Sequence, residues 1–189
     1  MVKRALIFIV VLSAITIIMS SCRQSMTFYS WKEFNIEIID NSTTFGQEII
    51  YLDVNKPISK TKLGFRIRPI DFNITSQRGT FGVEWNSCHV SKRTHSITSI
   101  VIKAIDRDVT SLFKGRLLTG WQPPELSIDE LMQRFNLGGF CGEGFRREGF
   151  DLLLRDNSIN LIGYQTFEIT ITFDDGIVLT QKTEELTLI

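Results

Sequence analysis

Cys88, His89 and His95 fall within one short polar segment, Cys88-His89-Val90-Ser91-Lys92-Arg93-Thr94-His95, which holds both histidines of the chain. Thiolate and imidazole are the common ligands of zinc and a frequent nucleophile–base couple. The spacing argues against both uses. On an extended chain His89 and His95 stand about 20 Å apart, so sharing an ion needs a sharp turn between them. Lys92 and Arg93 would then crowd a cation with positive charge. Neighbouring residues of a strand face opposite sides, which separates Cys88 from His89. Two surface histidines on a polar loop is the expectation, with no metal set and no catalytic group.

The segment Gly138-Gly139-Phe140-Cys141-Gly142-Glu143-Gly144-Phe145 is the other unusual stretch. It follows a predicted helix, so a glycine has a role as helix C-cap. It lacks the strand-to-helix setting and the Gly-Lys-Ser/Thr of a phosphate loop. Two readings stay open. Either the loop presents Phe140, Glu143, Phe145, Arg146 and Arg147 to a partner, or it is a glycine-rich crossover packed by its two phenylalanines.

The carboxylates are read as backbone chemistry. Asp174 and Asp175 sit in a hairpin turn, Asp129 and Glu130 in a helix start, and Asp106 and Asp108 in a polar turn about Arg107. Trp31, Trp85 and Trp121 suit core or edge packing better than a sugar platform shared with Tyr29 and Tyr51. Lys60, Lys62, Arg66 and Arg68 read as a solvated basic face. Asn41-Ser42-Thr43 and Asn73-Ile74-Thr75 match a eukaryotic glycosylation pattern.

These side chains must be placed by strands. Period-two alternation dominates: Phe34, Ile36 and Ile38; Leu63, Phe65 and Ile67; and Phe167-Glu168-Ile169-Thr170-Ile171-Thr172-Phe173. Asp174-Asp175-Gly176 before Ile177-Val178-Leu179 predicts a hairpin. Further strands are expected near Phe81–Trp85, Ile97–Ile105, Phe150–Leu154 and Leu186–Ile189. Ser127-Ile128-Asp129-Glu130 is a capping box opening a helix over Leu131–Phe135, and Asp108–Phe113 is a weaker helical turn. Half-buried strands with short turns predict a mainly β fold, an antiparallel two-sheet sandwich (immunoglobulin-like) with one or two short helices.

The start of the chain has a different character. Lys3 and Arg4 precede an apolar run over Ala5–Met19 of about 15 residues, suited to a signal-peptide core and short for a membrane span. Ser20-Ser21-Cys22 follows. Residues 1–22 resemble a bacterial lipoprotein signal, with Met19 where leucine is commonest. The resemblance implies a signal peptide at 1–21, a diacylglyceryl thioether on Cys22, a tether at 22–30, and a single β-rich domain at 31–189. Lipid chains contribute roughly 0.8 kcal/mol per buried methylene, so two or three hold a protein at a membrane. The lipidated cysteine, the strand at Ile97-Thr98-Ser99-Ile100-Val101-Ile102 and the terminal Asp-Gly hairpin together resemble small outer-membrane lipoproteins of Bacteroidetes, many from families without assigned function. In that group an acidic run after the cysteine accompanies export to the cell surface; none follows Cys22, so the resemblance implies an outer-membrane anchor facing the periplasm.

The exported compartment bears on the remaining cysteines. With Cys22 lipidated, Cys88 and Cys141 lie in an oxidising space. A disulfide between them would close a loop of about 54 residues and stabilise the fold by ~4 kcal/mol; the alternative is two buried thiols. The chain carries 21 basic and 21 acidic residues, and removing the signal tips the balance slightly acidic. That argues against nucleic acid as an obligatory partner. The expected function is a non-catalytic envelope module, membrane-bound through its lipid and binding a protein or glycan. The alternatives are a structural lipoprotein and, less favoured, a hydrolase of glycans or peptides. No cofactor is implied.

Overall fold

The computed structural model describes residues 26–42, 48–77, 90–93, 95–118, 124–137, 149–156 and 161–189. In chain order the elements are β1 (Met26–Asp40), β2 (Leu63–Gln77), β3 (Val90–Arg93), β4 (Ile97–Ala104), β5 (Arg107–Asp108), β6 (Phe113–Leu117), α1 (Ile128–Leu137), β7 (Phe150–Leu154), β8 (Gly163–Gln165), β9 (Phe167–Phe173), β10 (Val178–Lys182) and β11 (Leu186–Leu188). Single 3-10 turns precede β2 at Lys60–Lys62 and β6 at Thr110–Leu112. The second of these is what the helical signal at Asp108–Phe113 becomes.

One sheet runs β3-β1-β2-β7-β6 and the other β10-β9-β4-β5, with a small β11-β8 pair beside them. Among the described strands, all pairings are antiparallel except that of β3 with β1. The fold is the expected mainly β sandwich. The first described strand begins at Met26, so residues 26–30, assigned from sequence to the tether, pair with β2. The ladder of β1 and β2 slips near Glu33, where Ile70 has no partner between Pro69 and Asp71. Proline lacks the N–H that a regular ladder would use, so an interruption is where a strand tolerates it.

The alternating residues meet between the sheets. Phe65 of β2, Phe113 of β6 and Phe167 of β9 are fully buried, with ring centroids 5.0–6.3 Å apart. Trp31 of β1 packs against Phe135 of α1, Phe150 of β7 and Phe173 of β9 at 5.7–6.2 Å. Each such ring contributes about 1.5–3 kcal/mol by leaving water. Trp31 is therefore core, as expected; Trp85 and Trp121 lie outside the described residues.

Helix α1 buries Ile128, Leu131 and Phe135, one stripe of its surface. It seats against β6 because Gly115 has no side chain: a Cβ there would lie 2.5 Å from Leu131 Cδ2. The capping box forms as predicted. Glu130 N–H donates to Ser127 Oγ at 3.2 Å, and Ser127 N–H donates to Glu130 Oε2 at 2.9 Å. Buried Asn41 joins three strands, its amide donating to Leu63 O and Leu154 O, both at 2.9 Å.

Candidate functional site

The open side of the sandwich, where β4, the Asp108–Ser111 turn and the start of α1 converge, forms a groove of about 590 Å³. Its apolar floor includes Ile100, Phe113 and Met132, and its rim carries hydroxyls, carboxylates and one ammonium group. Several rim groups are consumed in building it. Thr110 Oγ1 accepts from Ile102 N–H at 2.8 Å, replacing a missing strand neighbour. Asp108 Oδ1 accepts from Thr110 N–H at 2.9 Å, and hydrogen bonding to Thr110 holds the carboxyl below its ordinary range. Hydrogen bonds from Ser127 do the same for Glu130. Among the described residues, the side chains of Ser99, Ser111, Lys114 and Asp129 make no hydrogen bond or ion pair. The groove thus offers donors, acceptors and both charges beside an apolar surface.

A second cluster forms at the neighbouring end of β4. His95 Nδ1 lies 3.2 Å from Asp175 Oδ2 and 3.6 Å from Asp174 Oδ1. All three side chains are part-exposed. The β4–β9 register brings them together by pairing Ile97 with Phe173, the residues just inside His95 and Asp174. Asp174 N–H donates to Ser96 O at 2.9 Å. Asn136 of α1 pins the same strand end, accepting from Ile97 N–H at 2.9 Å and donating to Ile97 O at 2.8 Å. On the other side, Asp175 Oδ1 accepts from Ile177 N–H at 3.0 Å and sets the hairpin. His95 thus partners the hairpin aspartates; its sequence neighbour His89 lies outside the described residues.

A buried line of paired charges sits elsewhere. Glu37, Arg66, Asp151 and Arg116 occupy one register line across β1, β2, β7 and β6. Asp151 has no exposed surface and Arg66 only 4%. Arg66 Nε and Nη2 donate to the two Asp151 oxygens at 2.7 and 3.0 Å, and Arg116 donates to Oδ2 at 2.8 Å. Burial would lower the Arg66 pKa, but Asp151 more than offsets this and raises it. The expectation of a solvated basic face is corrected here: Arg66 is buried because Asp151 stands beside it in the next strand. Arg68, further along, pairs with Glu37 at 3.0 Å.

No family model, curated protein or solved structure matches the chain.

Of the residues singled out from sequence, Cys22, Cys88 and Cys141 lie outside the described residues, as do Phe140, Glu143, Phe145, Arg146 and Arg147. Sequence reasoning reached the capping box, the Asp108 turn and the Asp174–Gly176 hairpin as local structure. It missed that they border a groove and a histidine–carboxylate cluster. No spacing signal links His95 to Asp174; only strand pairing does.

Proposed function

We propose that the protein is a lipid-anchored binding module of the bacterial cell envelope. Cys22 would tether it, and the groove between β4 and α1 would receive its partner. The observation that carries this reading is a set of polar side chains without a hydrogen bond or close ion pair, Ser99, Ser111, Lys114 and Asp129, around an apolar floor in one concave surface. Binding sites characteristically combine a concave apolar surface with a few convergent polar groups. Hydroxyl donors and acceptors in this mixture suit a glycan or an extended peptide of another envelope component. The signal-like stretch ending at Cys22 supports the anchor, and the absence of an acidic run after it favours a periplasm-facing outer-membrane position.

Two measurements test the two halves. Metabolic labelling with an alkyne palmitate should mark the wild-type protein and leave Cys22→Ser unlabelled; equal labelling of both would remove the anchor. In-cell crosslinking and pull-down of the lipidated protein should recover one envelope protein or glycan in near-equal amount. Substituting Ser111→Tyr, which fills the groove rim, should abolish that recovery. Undiminished recovery with the groove filled would overturn the assignment of the site.

A further inference from the structure

We propose that His95, Asp174 and Asp175 form a binding site for a divalent transition-metal ion, with Zn²⁺ the best match. The site is separate from the groove and does not depend on its function. Three ligand atoms, one nitrogen and two carboxylate oxygens, lie within 4.8 Å of one another. Zinc binds nitrogen and oxygen ligands at about 2.0–2.2 Å, so tetrahedral neighbours stand roughly 3.4 Å apart. The 3.2 and 3.6 Å separations between His95 Nδ1 and the two aspartates bracket that edge. A mixed nitrogen–oxygen set favours a borderline cation over Mg²⁺ or Ca²⁺, which prefer oxygen alone.

His95 faces both carboxylates at ion-pair distance, so the three ligand atoms converge on one point in space. A cation between the three atoms serves all of them. Among the described residues, neither carboxylate has an ion-pair partner other than His95. The ligands also come from two backbone segments held in register with each other. Asn136 and the Asp174–Ser96 bond fix the His95 strand end, and the β9–β10 pairing fixes the hairpin. The backbone on both sides is therefore ordered without the ion. Three protein ligands leave a coordination position open to water or to an oxygen of a bound molecule.

The test is titration of the full-length protein, purified in detergent, with ZnCl₂ by calorimetry and with CoCl₂ by absorption. Asp174→Asn/Asp175→Asn is the main variant, because asparagine retains an oxygen to accept from Ile177 N–H. His95→Gln is the second, and each variant's circular dichroism verifies its fold. The wild type is expected to bind at micromolar free metal, with a cobalt spectrum lacking a thiolate charge-transfer band. Losing even an outer partner of a metal ligand weakens a site by about tenfold or more, so both variants should lose at least that much. Three results would overturn the proposal. These are wild-type binding only near millimolar metal, unchanged binding in the variants, or a thiolate band showing that cysteine holds the ion.

Discussion

The buried line Arg66–Asp151–Arg116 and the part-exposed cluster His95–Asp174–Asp175 use similar groups to opposite ends. At Asp151, two guanidinium groups meet both carboxylate oxygens, and solvent is excluded. Nothing further can bind there. At the hairpin, one imidazole faces two carboxylates that solvent can reach. The groove resembles the second case, with polar side chains that make no hydrogen bond or close ion pair among the described residues. Saturation therefore separates charge that holds this fold from charge available to a ligand, and residue type alone does not.

Breaking the saturated region should have the largest effect. Asp151→Ala leaves Arg66 and Arg116 without their carboxylate in a buried place, and loss of one buried partner costs about 3–5 kcal/mol. Urea unfolding should show a large fall in midpoint. A change within experimental error would mean that the line contributes nothing to stability.

Gly115→Ala should cost about 1–3 kcal/mol, because its Cβ would drive Leu131 and with it α1 away from β6. As α1 forms one wall of the groove, the same variant should weaken partner recovery. Unaltered stability would show that helix and sheet are not tightly engaged.

Acid should act through carboxylates outside both regions. At Asp40 burial alone would raise the pKa, but hydrogen bonds from Ser42 and the charge of Lys62 more than offset it and hold the group below its ordinary value. Asp108 and Glu130 are lowered as well. A depressed folded-state pKa adds stability above the unfolded value, near pH 4, which is lost as pH falls through the folded value. The urea midpoint should therefore decline from about pH 4 downward, and Asp40→Asn should flatten the decline. A midpoint that rises on acidification would contradict these assignments.

The smallest effect is expected at the hairpin. Asp174→Asn/Asp175→Asn in metal-free buffer should change stability by less than about 0.5 kcal/mol, as exposed ion pairs contribute little. A loss comparable to that of Asp151→Ala would place the cluster among the structural charges and erase the contrast.

Much of the scaffold was legible in the sequence. Alternation at Phe34–Ile38, Leu63–Ile67 and Phe167–Phe173 encodes one buried face, and burial is what a strand's period reports. Ser127–Glu130 announced the helix start because capping is local. The sites were not legible, because they are made by pairing between distant strands. Arg66 looks like a solvated charge until β2 and β7 align it with Asp151. Likewise His95 and Asp174 join only through the β4–β9 register, and a groove between β4 and α1 has no counterpart in sequence order. A one-residue slip in either register would separate these partners.

The most direct test of the account is site-specific photocrosslinking in living cells, comparing a probe at Ser111 in the groove with one at the exposed Lys56. The account predicts a discrete adduct from Ser111 and none from Lys56. Equal adducts from both positions, or from neither, would contradict the groove as the place where this protein meets its partner.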